Sequence, residues 1–179
     1  GNEAYRGQIV YNHSGDSLFF KVAGDVTAAT ISATGSVNLP LQPAFLVQPA
    51  GTQHDIPIDA TTAVVFGTER FDQSANFASN TFTAPVAGKY QFNVQMYLLN
   101  VDIDSTYLQI NLTTSNRSYI NISAPPSSDA DLTYYSPVIS VLAEMDADDT
   151  AIVTITIPNS GAAQMDVNAT TAFSGYLVC

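Results

Sequence analysis

Tryptophan is absent from this chain of 179 residues, and cysteine occurs once, as Cys179 at the last position. A single thiol allows no intrachain disulfide, so a small disulfide-stapled scaffold is excluded. Basic residues are nearly as scarce. Arg6, Lys21, Arg70, Lys89 and Arg117 face 16 acids, for a net charge of −11. No basic patch can be assembled from five such residues, which excludes phosphate-neutralising nucleic-acid binding and makes an anionic membrane surface a poor partner. No apolar run approaches the roughly 18 residues of a membrane span, so membrane insertion is not expected. No signal-peptide pattern stands at Gly1, and an opening on Gly1-Asn2-Glu3 reads as a processed or truncated start. Charged residues make up 12% of the chain, about half of the roughly 25% usual in soluble domains. The surface must then be built largely from Ser, Thr, Asn and Gln.

What is present is β-forming. Apolar residues reach 46%, enough for a real core. Val, Ile, Thr, Tyr and Phe are abundant, and no stretch of a dozen residues carries a 3.6-residue stripe. Period-2 alternation recurs in Tyr90-Gln91-Phe92-Asn93-Val94-Gln95-Met96, Leu108-Gln109-Ile110-Asn111-Leu112 and Val153-Thr154-Ile155-Thr156-Ile157, the last closed by Pro158-Asn159. Such alternation predicts half-buried antiparallel strands. The segment from Glu144 to Asp149 reads as a turn, and Ser123 to Tyr135, with Ala124-Pro125-Pro126-Ser127-Ser128-Asp129, as an extended surface loop.

Residues 1–42 differ in character from residues 43–179. The first segment is thin in large apolar side chains. It carries strand signals at Gln8-Ile9-Val10-Tyr11 and Leu18-Phe19-Phe20-Lys21-Val22, joined by the hairpin-like link Asn12-His13-Ser14-Gly15-Asp16, and then Ile31 to Val37 broken by Gly35. Roughly 40 residues cannot bury a stable independent core, so association between copies is the expected remedy. The second segment is long enough for a β-sandwich.

Residues 43–179 resemble the globular head of complement component C1q, one of the tumour-necrosis-factor-like jelly rolls. The resemblance begins at Pro43-Ala44-Phe45. It is strongest over Val65-Phe66, Phe71-Asp72, Asn76-Phe77 and Asn80-Thr81-Phe82-Thr83-Ala84-Pro85-Val86-Ala87-Gly88-Lys89-Tyr90-Gln91-Phe92, and it closes at Phe173-Ser174-Gly175-Tyr176-Leu177. The motif has a physical sense. Pro85 stops a strand, Gly88 is expected to adopt a backbone conformation other residues resist, and Tyr90 and Phe92 turn inward beside Phe82. Phe173 and Tyr176 flank Gly175, where a small residue lets a ring or backbone approach. Phe45, Phe66, Phe82, Pro85, Gly88, Tyr90, Phe92, Phe173, Gly175 and Tyr176 are thus read as architectural. The resemblance implies an all-β jelly-roll sandwich that packs as a homotrimer. The first segment, through Tyr5-Arg6-Gly7-Gln8-Ile9-Val10-Tyr11, Leu18-Phe19-Phe20 and Ile31-Ser32-Ala33-Thr34-Gly35-Ser36-Val37, is similar to repeats of bacteriophage tail fibres and tailspikes, and so reads as a β-rich neck before the head.

Catalytic chemistry finds little support. The only histidines, His13 and His54, fall in different segments, and no Gly-x-Ser-x-Gly elbow occurs. A two-carboxylate polysaccharide depolymerase is harder to exclude, since 16 acids supply many pairs, but a jelly-roll head of this size is expected to have no deep cleft and the acids lie in turn-like contexts. Asp102 and Asp104, and Asp146, Asp148 and Asp149, supply hard oxygen ligands in turns; they suit Ca²⁺, and equally suit solvated strand ends bonded to nearby backbone. Tyr107, Tyr119, Tyr134 and Tyr135 could stack on a polyol or pack in a core or trimer contact. Five sequons, at Asn12, Asn111, Asn116, Asn121 and Asn168, are what an Asn-, Ser- and Thr-rich chain makes by chance, or mark glycans in a secreted protein. The expectation is a non-enzymatic fibre-tip protein, on the virion and extracellular, that recognises a bacterial surface receptor such as a glycan. The alternative is a secreted C1q-domain pattern-recognition or signalling module.

Overall fold

The computed structural model describes residues 6–124, 130–158 and 165–179. It divides into two compact units, Gly1–Gln42 and Pro43–Cys179. Every regular element among the described residues is a strand. Tyr5 of the first motif, residues 125–129 of the expected loop and Asn159 lie outside the described residues.

The first unit is one antiparallel meander of β1 (Gly7–Asn12), β2 (Ser17–Val22), β3 (Val26–Ile31) and β4 (Val37–Asn38), in that spatial order. The Asn12 carboxamide oxygen accepts from the Ser14 amide at 3.0 Å and organises the first turn. β3 covers a stretch in which the sequence shows no strand signal. Its Thr27-Ala28-Ala29-Thr30 lacks large apolar alternation, and a register shift opposite Phe20 and Lys21 scrambles what alternation there is.

The second unit is a two-layered sandwich. One layer contains, in spatial order, β15 (Val138–Met145), β10 (Gly88–Gln95), β18 (Ala172–Leu177), β5 (Ala44–Gln48) and β7 (Thr68–Gln73). The other contains β13 (Ser118–Ser123), β12 (Leu108–Thr114), β16 (Thr150–Thr156), β9 (Thr81–Thr83) and β8 (Phe77–Ala78), with β6 (Thr61–Ala63) also on β16. A small third sheet, β14 (Leu132–Tyr135), β11 (Leu98–Val101) and β17 (Asp166–Val167), lies at one end. Successive strands cross between layers, β9 to β10 to β12 and β13 to β15 to β16 to β18, which is jelly-roll connectivity.

Two sequence readings change here. The turn expected from Glu144 begins later, because β15 runs through Met145, pairing Glu144 with Lys89 and Met145 with Gly88. Part of the loop expected from Ser123 is strand: Leu132–Tyr135 pairs with β11, and a four-residue run with one Leu is too short to show a period.

Alternation sends Tyr90, Phe92 and Val94 of β10 inward and leaves Gln91, Asn93 and Gln95 outside. Phe45, Phe66, Phe77, Phe82, Tyr90, Phe92 and Phe173 form a continuous aromatic cluster between the layers. In it Phe45 meets Phe82 at 4.8 Å and Phe173 edge-on at 4.9 Å between ring centroids. Gly175 sits against that cluster. A Cβ there would lie 2.5 Å from the Phe92 ring and 2.8 Å from Phe45, so the residue must be glycine for the rings to close. Gly88 corrects the expectation of a special backbone conformation. Its φ is not among the positive ones; what excludes a side chain is space, since a Cβ would lie 2.6 Å from the Leu177 side chain and 2.7 Å from the Cys179 carbonyl oxygen. Tyr176, the neighbour of Gly175, takes the opposite face of β18 and is 49% exposed, so it is not part of the core. Pro85 follows β9, where the Ala84 amide donates to the Asp149 carbonyl at 2.8 Å and closes the strand end.

Candidate functional site

The sandwich has two distinct ends. Pro43, where the second unit begins, accepts a hydrogen bond from the Leu177 amide, and the Lys89 amide donates to the Cys179 carbonyl. The turns around Val86, Asn116 and Asp148 share that end. β10 and β18 then run away from it, with Gln95 opposite Ala172, and β11 and β17 follow beyond. The three-stranded sheet therefore caps the end remote from Pro43.

At that remote end one cross-strand row brings Tyr134, Leu99 and Asp166 side by side, because Leu99 pairs with Tyr134 on one flank and with Asp166 on the other. Tyr97, just before β11, tilts its ring against Tyr134 at 5.7 Å and 34°. Its place is fixed through its backbone: the amide donates to Thr171 Oγ1 at 2.9 Å, and the carbonyl accepts from the Asn168 amide at 2.8 Å. Tyr134 is 63% exposed, so a ring face is presented to solvent beside its partner. Asp166 is nearly buried and held on both oxygens. Oδ1 accepts from the Asp55 amide at 2.9 Å, and Oδ2 lies 3.1 Å from His54 Nδ1, whose own side chain is largely exposed. The result is an aromatic pair and a fixed carboxylate–imidazole pair on one small sheet. Stacking faces beside oriented acceptors can hold a neutral polyol without a charged ligand.

The four tyrosines singled out in the sequence do not gather. Tyr134 joins this row. Tyr135, on the other face of β14, packs against the core and donates its hydroxyl to Ser123 Oγ at 2.9 Å. Tyr119 lies opposite Leu112 near the other end of the sandwich and also packs inward. Tyr107 is partly buried just before β12. Tyr97 and His54 were not singled out. The partner of Tyr97 is 37 positions away in the chain, and no local period marks the pairing.

The acids likewise separate. Asp102 and Asp104 are in the β11–β12 connection, and Asp146, Asp148 and Asp149 at the Pro43 end. Asp102 Oδ1 accepts from the Asp104 amide at 2.8 Å, and Asp149 Oδ2 accepts from the Asp146 amide and the Asn116 carboxamide, each at 2.8 Å. These are turn-holding bonds. Among the described residues no three of His, Cys, Asp and Glu gather closely enough to hold a metal ion. The sequon asparagines are engaged too. Asn111 is buried in β12 and bonds Thr154, Asn116 and Asn121 donate to the Glu144 and Val138 carbonyls, and Asn168 caps Thr170.

A second surface is defined by exposure rather than chemistry. The outer face of the five-stranded sheet carries Leu46 opposite Phe71, with Phe71 52%, Tyr176 49% and Leu142 53% exposed. Between them Gln91, Asn93 and Ser140 bond one another, the Ser140 hydroxyl donating to Asn93 Oδ1 at 2.8 Å. Along one edge, β13 and β15 flank an open groove of about 650 Å³. Ile120, Ile122 and Val138, each 57–59% exposed, project along these two edge strands.

The arrangement defines a C1q/TNF-like jelly roll. The C1q domain family model matches residues 44–178, and the chain belongs to that family. Among solved structures, the globular domain of zebrafish complement 1qA is similar at 16% identity and a TM-score of 0.55, covering 76% of this chain and 98% of its own. Murine APRIL at pH 5.0 is similar at 15% identity and a TM-score of 0.53, covering 76% and 99%. No curated protein matches in sequence. Domains of this family are in general extracellular binding modules that assemble as trimers.

Proposed function

We propose that the protein is a non-enzymatic homotrimeric tip: a β-rich neck joined to a C1q-like head that recognises a receptor on a bacterial surface, in the manner of a bacteriophage tail fibre, with a glycan as ligand class. The observation that carries this reading is the row of Tyr97, Tyr134 and the His54–Asp166 pair at the end of the sandwich remote from Pro43. Support for the trimer comes from the exposed apolar face and the exposed apolar edge. They are different surfaces of one subunit, so edge-to-face packing is heterologous, the kind of contact that forms a ring of three when each subunit is rotated a third of a turn from the last. Three identical sites would then act together through avidity.

The test is binding of labelled trimer to candidate host cells, with competition by excess unlabelled protein. Tyr134→Ala is expected to lower cell binding about tenfold or more, the loss of an aromatic anchor worth roughly 2 kcal/mol in each of three sites, at unchanged sedimentation mass. Binding that ignores both the substitution and the competitor overturns the reading. The likeness to complement 1qA favours a second reading, a secreted pattern-recognition module. A Gly-X-Y collagen stalk upstream of Gly1 would select it; a long β-rich shaft would select the first.

A further inference from the structure

The N-terminal sheet has no inside. None of its described residues, 6–42, is buried. Yet its two faces differ. Pairing of Ile9 with Phe20, Tyr11 with Leu18, Phe20 with Ala29, Leu18 with Ile31, Val22 with Val26 and Ile31 with Val37 puts all of these side chains on one face. The paired residues of that face include no charged and no amide side chain, polar groups entering only at its turn end, where Tyr11 donates to Asp16 Oδ1 at 2.9 Å and meets the His13 ring; Ile9 is 71%, Tyr11 50%, Val26 44% and Val37 64% exposed. The other face mixes polar and apolar groups, with Gln8 beside Lys21, Val10 beside Phe19 and Thr30, and Asn12 beside Ser17. A four-stranded sheet with an uncovered apolar face cannot offset the entropy of ordering its own chain.

We infer that this face is an assembly interface whose occupants are the same faces of the other copies of this chain, packed together into a shared core. The inference rests on the trimeric reading of the head and adds a second, separate interface to it. Three features select a copy of the chain over a foreign partner. The cover must be present whenever the sheet is folded, and a trimeric head supplies it at fixed stoichiometry and high effective concentration. Apolar side chains run across all four strands of the face, with polar groups confined to the turn end at Asp16 and His13, as in obligate interfaces that resemble a divided core. Charge is partitioned to suit: three of the 16 acids and two of the five basic residues fall within residues 1–42, so copies of the neck meet nearly neutral while the heads carry almost all the net charge.

The experiment uses the full chain. Because it has no tryptophan, Phe20→Trp on the apolar face and Gln8→Trp on the other give lone reporters with opposite expectations. In a chain that sediments as a trimer, Phe20→Trp is expected to emit blue-shifted light shielded from iodide, and Gln8→Trp to emit as a solvated indole. Ile9→Asp, silent in a lone subunit where Ile9 is mostly in water, is expected to abolish hydrogen-exchange protection of β1–β3 amides while the trimer mass persists through the head. A trimer in which Phe20→Trp is quenched as freely as Gln8→Trp overturns the inference and leaves the trimeric head standing. A monomer overturns both.

Discussion

Tyr90 sits with its ring enclosed among Phe82 and Phe92, while its hydroxyl reaches the shallower Val86 carbonyl at 2.8 Å. Burial raises its pKa above the ordinary tyrosine value. The folded state therefore holds this proton more tightly than the unfolded chain. Linkage then makes stability fall once pH climbs past the unfolded tyrosine value of about 10 and toward the higher folded one. Tyr90→Phe is expected to cost about 1 kcal/mol at neutral pH for the lost hydrogen bond and to flatten the alkaline decline. Urea unfolding at a series of pH values measures both. Gly175→Ala should be worse. The added methyl meets two rings at well under contact distance, and overpacking of that kind costs about 1–3 kcal/mol, read as a lower denaturation midpoint at unchanged slope. The aromatic motif around Phe82, Tyr90, Phe92 and Phe173 was legible as core because alternation and large apolar side chains coincide. Tyr176 was not, because a one-residue step along a strand changes the face and the motif's spelling is blind to that.

The strands with long alternation, β10, β12 and β16, stand where their period places them. The short elements β14 and β17 owe their existence to the strands they pair with and carry too few residues to declare themselves, while β3, six residues long, lacks the alternation that would mark it. The edges β13 and β15 show the converse. Ile120, Ile122 and Val138 sit at positions that face out of a lone subunit, so the same alternation that fills the core leaves apolar residues exposed. Unprotected apolar edges of this kind invite pairing. Val138→Asp is expected to leave the head folded, since the site is 59% exposed in the subunit, but to move the sedimentation mass from trimer to monomer. A full-mass trimer would exclude the β13–β15 edge from the contact.

A trimer of this chain gathers a net −33, three times −11, and concentrates it on the heads. Repulsion among them weakens as the Debye length contracts from about 30 Å at 0.01 M salt to about 8 Å at 0.15 M. Assembly should therefore tighten on adding salt across that range, the opposite of a complex held by ion pairs; sedimentation of dilute protein at the two ionic strengths checks it. The low charge density also shapes recognition. For the proposed receptor, the acidic surface favours a neutral, hydroxyl-rich ligand over an anionic one, with Tyr97, Tyr134 and the Asp166–His54 pair as the proposed contacts.

Composition and period were enough to specify an all-β chain and the inward faces of its long strands, and the motifs around Phe82, Gly88, Tyr90 and Gly175 carried the resemblance to the family, because each of those depends on side-chain order along single strands. The candidate recognition row, the apolar groove and the true reason for Gly88 depend on which strands become neighbours. Tyr97 meets Tyr134, His54 meets Asp166, and Gly88 meets Leu177 across long stretches of chain. Pairing of that sort is settled by the closing of the two layers over their common interior, and no local pattern of residues encodes it.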